Sequence, residues 1–155
     1  MRLENVAASR RLGHQLGQLL KPGDVLAFIG DLGVGKTTLI QALGQALGVK
    51  EEMTSPTFTL IHEYQARDLP VYHFDCYRME SPLEFLDIGG EDYLYGSGVC
   101  LIEWADMIEE FLPQDYLRLE LSRQEDLSRD LKLGASGSRS KEIKEALEDL
   151  EDTGF

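Results

Sequence analysis

The stretch that most constrains this chain is Gly30-Asp31-Leu32-Gly33-Val34-Gly35-Lys36-Thr37-Thr38. It fits G-x-x-x-x-G-K-[ST], the phosphate-binding loop or Walker A pattern. Backbone N–H groups can approach a phosphate chain closely only where side chains are absent. Gly33 and Gly35 clear that space and tolerate positive φ. The N–H groups then form an anion-binding nest at a helix N-terminus, where the helix dipole adds positive potential. Lys36 is spaced to reach β- and γ-phosphates, and the Thr37 hydroxyl to ligate a Mg²⁺ bridging them.

The flanks agree with the motif. Residues 24–29 form an apolar run of buried-strand type, and Leu39, Ile40, Leu43, Ala46 and Leu47 recur at helical spacing over residues 36–47. Gly48 stands where a C-cap glycine belongs. Upstream, Leu12, Leu16, Leu19 and Leu20 share one side of an amphipathic helix over residues 7–20, which Pro22-Gly23 ends. Downstream, residues 57–64 and 71–77 read as strands joined in an antiparallel hairpin through residues 65–70. Ser81-Pro82-Leu83-Glu84 opens a helix with Pro at its first position, and two short helical pieces run to Tyr95. Residues 99–103 form a second apolar strand ending on Glu103, and residues 104–112 are helical. Residues 116–122 alternate as a half-exposed strand, and residues 129–133 form a last edge strand. Residues 136–140 read as a flexible link before a helix over residues 141–150. Early strand–helix alternation with an intervening hairpin predicts an α/β fold, a P-loop NTPase-like mixed sheet flanked by helices on both faces. Residues 1–137 make one such domain, and residues 138–155 a C-terminal linker and helix that packs on it or extends from it.

Charge narrows the partners. The net charge is -13; residues 1–50 carry +3 and residues 51–155 carry -16. A balance this acidic argues against unaided nucleic-acid binding, whose affinity comes largely from neutralising phosphates. A bound polyanion must find positive potential locally, at the loop and Lys36. The longest unbroken aliphatic or aromatic run is residues 25–29, too short to span a bilayer, and residues 10–15 carry Arg10, Arg11, His14 and Gln15 where a signal peptide would be apolar. A cytoplasmic protein is expected. Cys76 and Cys100 lack metal-ligand spacing.

A phosphate loop usually works with a carboxylate that holds Mg²⁺ or orients the attacking water. Two acids lie at or near strand ends, Glu103 and Asp75, and ligands of such sheets bind beyond the carboxyl ends of strands. Gly30, Asp75 and Glu103 therefore can converge. Alternation puts His73, Asp75 and Tyr77 on one strand face. His73 reads as a hydrogen-bonded structural histidine or as a member of the site. Residues 54–57, with Thr54, Ser55 and Thr57, read equally as a nucleotide switch or as a hydroxyl-rich loop entering a strand. Arg78 fits an ordinary ion pair or a contact to phosphate or a partner. Trp104 fits a core position or an exposed partner contact. Asn5 is the only asparagine, so the Asn-Lys-x-Asp guanine-recognition motif is absent.

Four stretches in this order, the phosphate loop, Thr54-Ser55-Pro56-Thr57-Phe58-Thr59-Leu60, His73-Phe74-Asp75-Cys76-Tyr77-Arg78 and Leu101-Ile102-Glu103-Trp104, resemble the TsaE family, also known as YjeE. The resemblance covers residues 5 to 137. It implies a Mg²⁺-dependent ATPase required for threonylcarbamoyladenosine formation in tRNAs that read codons beginning with A. Such a subunit acts with TsaB and TsaD, meets tRNA only through that complex, and turns over slowly until its partners complete the site. Carried over by position, Gly30, Asp31, Leu32, Gly33, Val34, Gly35, Lys36, Thr37 and Thr38 would hold the ATP phosphates. Thr37 and Glu103 would ligate Mg²⁺, with Lys36, Asp75 and Glu103 carrying hydrolysis. Ser9 and Arg129 would lie toward the adenine. Thr54, Ser55 and Thr57 would form the switch, and Arg78 and Trp104 would serve it or the partners. Cys76 stands where the family usually has Leu. Two other readings compete: a non-hydrolysing nucleotide-sensing adaptor, and a small-molecule kinase, for which no arginine-rich lid segment is present.

Overall fold

The computed structural model describes residues 1–30, 35–54 and 60–152. Along the chain lie β1 (Arg2–Leu3), α1 (Val6–Leu19), β2 (Val25–Ile29), α2 (Lys36–Leu47), β3 (Ile61–Gln65), β4 (Pro70–Asp75), α3 (Leu83–Asp87), α4 (Gly90–Leu94), β5 (Val99–Glu103), a 3-10 segment (Ala105–Phe111), β6 (Leu117–Arg123), β7 (Arg129–Ala135) and α5 (Ser138–Asp152). Among the described residues the strands form one sheet in the order β1-β7-β6-β2-β5-β4-β3. The four central strands, β6, β2, β5 and β4, run parallel, and antiparallel strands close both sides. The arrangement is the expected mixed α/β sheet.

The period of two along each strand divides the core in two. Leu26 and Phe28 of β2, Val99 and Leu101 of β5 and Val71 of β4 face a layer built by α1, α2 and α5. Val25 and Ala27, Cys100 and Ile102, and Phe74 face α3, α4 and the 3-10 segment. Helices therefore cover both faces. Central β2 and β5 are buried along nearly their whole length, which is why they read as unbroken apolar runs. On β4 the same alternation puts His73 and Asp75 on the α2 side, in the layer where Lys36 begins its helix.

Helix ends follow side-chain chemistry. The Asn5 side chain accepts the Ala8 N–H at 2.8 Å and starts α1 one residue earlier than its apolar stripe indicates. Gly48 adopts φ 93° and closes α2. The helix expected from Pro82 begins at Leu83, with Pro82 as its cap and Glu84 Oε2 accepting the Glu80 N–H at 2.7 Å.

Four details differ from expectation. β4 stops at Asp75, two residues early, because the Asp75 carboxylate accepts the Tyr77 N–H at 3.0 Å and turns the chain. The segment expected to be helical over residues 104–112 is a shorter 3-10 helix, Ala105–Phe111, broken at Ile108. β7 is not an edge strand, because Arg2 and Leu3 pair outside it. Residues 136–140 are not a link: β7 runs to Ala135 and α5 starts at Ser138. The Asp115 carboxylate accepts the N–H groups of Arg139 and Ser140 at 2.9 and 3.0 Å, and the Gly137 N–H donates to Ser140 Oγ. Arg139 then pins α5 to the sheet, forking onto buried Asp24 at 3.0 and 2.9 Å and reaching the Leu19 carbonyl. Ile143 and Leu147 complete that docking within the core.

Candidate functional site

The site forms where β2, β5 and β4 end side by side. β2 delivers Gly30, and Gly35 takes φ 101°, a left-handed conformation that lets the chain turn straight into α2. Asp31, Leu32, Gly33 and Val34 lie outside the described residues. Among the described residues no side chain caps the first turn of α2, and helix geometry gives its leading N–H groups no acceptor within the helix. Lys36 is 4% exposed, donates from Nζ to the Gly30 carbonyl at 2.7 Å, and holds its ammonium 4.0 Å from the centroid of the Trp104 ring. A cation over an indole face is stabilised by about 0.5–2 kcal/mol. Thr37 is exposed and Thr38 half-buried on the same first turn.

Trp104 reaches Lys36 because its backbone is left-handed, φ 56° and ψ 42°. For a non-glycine residue that conformation costs roughly 1–3 kcal/mol and persists only where surroundings enforce it. The Tyr77 ring also packs on it, 4.8 Å between centroids at 39°. The sequence leaves Trp104 open between core and partner contact; in the structure it is half-buried and covers the lysine.

The acids stand opposite. Glu103 ends β5, 4% exposed, and is paired in register with Phe28 of β2 and Asp75 of β4. Its Oε2 accepts from His73 Nε2 at 2.8 Å. Burial above all holds the half-buried Asp75 carboxyl over the usual carboxylate range; the Tyr77 N–H opposes this and the Glu103 carboxylate adds to it. Two adjoining carboxylates, one of them resisting ionisation, form a place where a cation is favourable.

The structure thus brings Gly30, Lys36, Asp75, Glu103 and Trp104 together. Ser9, which is buried, and Arg129 line a separate cavity of about 400 Å³ with Val6, Gly35 and Thr38. Arg129 donates to the Leu127 carbonyl at 2.6 Å there. A further cavity of about 330 Å³ opens past Gly30 and Trp104 toward Asp106, Glu120 and Lys132. Thr54 is exposed, its N–H donating to the Tyr64 hydroxyl at 3.3 Å. Ser55 and Thr57 lie outside the described residues. Arg78 is exposed and makes no ion pair among the described residues. The sequence puts Tyr77 and His73 on the Asp75 face but does not show their partners: the Tyr77 ring meets Trp104, and His73 bonds Glu103. The signal for His73 is its shared strand face with Asp75, but its pairing needs the β4–β5 register.

No helix among the described residues is long and apolar enough to cross a membrane. Comparison with known proteins fits this architecture. The crystal structure of YdiB from Bacillus subtilis superposes with a TM-score of 0.81 at 38% identity, covering 97% of this chain and 94% of that one. The tRNA threonylcarbamoyladenosine biosynthesis protein TsaE of Bacillus subtilis is 42% identical over 146 residues, 94% of this chain and 91% of its own length. Its counterpart from Treponema pallidum is 41% identical over 78% of this chain and 89% of its own length. A family model described as threonylcarbamoyl adenosine biosynthesis protein TsaE matches residues 3–131. On the match across most of its length, the chain belongs to the TsaE family.

Proposed function

We propose that this chain is a cytoplasmic ATP-binding and ATP-hydrolysing subunit of tRNA threonylcarbamoyladenosine formation, working with TsaB and TsaD. The observation that carries the reading is the buried Lys36 ammonium at the start of α2, close to the paired strand-end carboxylates Asp75 and Glu103. A cation at a helix N-terminus with backbone N–H groups suits a phosphate chain. Family membership supports the tRNA role; the names of the relatives carry it no further than that pathway.

In this reading Lys36 leaves Gly30 and Trp104 to bind the β- and γ-phosphates. The loop N–H groups hold the remaining oxygens. Thr37 and Glu103 would hold a Mg²⁺, which would supply positive charge against the phosphates. Among the described residues no three His, Cys, Asp or Glu side chains cluster as a metal cage. Mg²⁺ bound with a nucleotide uses one or two carboxylates and the phosphates, so the donors present fit it. Asp75 holds the attacking water and takes its proton as that oxygen bonds to the γ-phosphorus and the bond to ADP breaks. Lys36 and the N–H groups stabilise the charge that develops. Ser9 and Arg129 flank the nucleoside side of the loop. Thr54, Ser55 and Thr57 respond to the γ-phosphate, and Arg78, exposed beyond β4, meets a partner.

The test is phosphate release from Mg–ATP by the chain alone and with TsaB and TsaD, with Lys36→Ala as blank. Release that rises with the partners and vanishes in Lys36→Ala is the expected result, with Asp75→Asn and Glu103→Gln each lowering it. ATP binding without release in either setting replaces hydrolysis with a nucleotide-sensing adaptor. Phosphoryl transfer to a metabolite in preference to water replaces it with a kinase.

A further inference from the structure

His73 lies on β4 beside Leu101 of β5, one pleat before the Asp75–Glu103 pair, and its ring reaches forward along the sheet to Glu103. Both residues are sealed, 1% and 4% exposed, and Nε2 to Oε2 measures 2.8 Å. The other ring nitrogen, Nδ1, is buried without a hydrogen-bond partner among the described residues. This pattern matches a ring that carries its proton on Nε2 and donates it to the carboxylate. Joining β4 to β5 does not require it, because the ladder already pairs five residues of each strand. An apolar side chain would fill the same place without stranding a polar atom. What the bond adds is orientation: it holds Oε2 of the Glu103 carboxylate against the His73 ring.

We propose that His73 is a positioning residue for metal binding: its Nε2–H holds the Glu103 carboxylate in the orientation that takes Mg²⁺ with the nucleotide. The proposal rests on the reading of Glu103 as the carboxylate of the metal. His73 itself touches neither metal nor phosphate, and its proton stays in place. Outer partners of this kind ordinarily change metal affinity by about 10–100-fold when removed.

The experiment titrates ADP into the full-length chain by calorimetry, across a MgCl₂ series and in EDTA. His73→Leu removes the donor, and His73→Gln returns an amide N–H near the place of Nε2. The MgCl₂ concentration that half-maximally tightens ADP is expected to rise about 10–100-fold in His73→Leu. ADP affinity in EDTA stays at the parent value, and His73→Gln stays close to the parent throughout. An unchanged MgCl₂ dependence in His73→Leu overturns the proposal, as does an equal loss in both variants. Should His73→Leu fail to fold, His73→Asn, whose shorter amide cannot reach Oε2, takes its place under the same criteria. Glu103→Gln separates the two layers of the argument. If it leaves the MgCl₂ dependence untouched, the reading of Glu103 fails. If it shifts that dependence while His73→Leu does not, only the positioning role fails.

Discussion

Gly17→Ala should lower the stability of this protein, although alanine is the better helix former. Gly13 and Gly17 lie one turn apart on the face of α1 that presses on α2. A Cβ at Gly17 would sit 2.6 Å from Ala46 Cβ and 2.7 Å from the Leu43 carbonyl oxygen. At Gly13 it would sit 2.7 Å from the Leu39 oxygen and 2.8 Å from Ala42 Cβ. Ordinary contact begins near 3.4 Å, so the helices must part by roughly 0.7 Å. A gap of that size forfeits about a quarter to a half of the dispersion energy of the atoms along it, here Leu12, Leu16, Leu39 and Leu43, all fully buried. Overpacking costs about 1–3 kcal/mol, and opposing backbone cannot step aside, which places Gly17 at the upper end. Helix propensity returns about 1 kcal/mol. The net loss is about 1–2 kcal/mol, or a melting midpoint lower by about 2–8 °C for a chain of this size. Urea unfolding with a constant slope measures it. Gly44→Ala is the contrast: its Cβ meets Met53 Sδ, near the end of a pliable side chain, so its loss should be smaller. An unchanged or raised midpoint in Gly17→Ala would refute the claim that backbone contact sets the α1–α2 distance.

Three further outcomes are expected. Asp75 has a raised carboxyl pKa in the folded chain, so its contribution to stability is complete below the unfolded value of about 3.9 and is lost as pH rises through the folded value; Asp75→Asn should therefore melt higher than the parent at neutral pH, and a lower midpoint there would contradict it. Arg139→Ala strands the buried Asp24 carboxylate and frees the Leu19 carbonyl, so it should cost about 3 kcal/mol in urea unfolding, with Asp24→Asn in the same chain recovering part of it. Trp104 is the single tryptophan, so its emission should change when Mg–ADP draws Lys36 from its ring, and Lys36→Ala should show no such change.

The central layer was legible because its signals are local. The run before Gly30 and the run ending on Glu103 are each buried on both faces, and the leucines of α1 and α2 repeat at 3.6 residues. Gly-Lys-Thr at the end of one such strand left little choice of chemistry. What escaped depends on partners distant in sequence. β1 has two residues, too few to show a period, and exists because β7 pairs with it. Residues 136–140 carry the Ser and Gly of a linker, yet Asp115, more than twenty positions upstream, supplies the acceptor that starts α5 there. The bond from His73 to Glu103 needed the register of β4 on β5. The left-handed turn at Trp104 has no residue-type signal at all, since nothing in an indole favours positive φ.

The electrostatics of the site carry one more consequence for the proposed reading. Lys36 already satisfies its charge against the Gly30 carbonyl and the Trp104 face, so moving it to a phosphate exchanges contacts and does not simply gain them. A phosphate chain arriving beside Asp75 and Glu103 meets two carboxylates in a buried setting, where repulsion is screened less than in water. Lys36 supplies a single positive charge against both. A divalent cation between the acids and the phosphates reverses the sign of that contact. Nucleotide and Mg²⁺ must then tighten each other by the same factor, since coupling between two ligands is reciprocal. Glu103→Gln removes one of the two carboxylate charges. It should therefore weaken ADP in saturating MgCl₂ while leaving ADP equal or tighter in EDTA. Opposite signs from one substitution would be hard to obtain from a residue that only supports the strand.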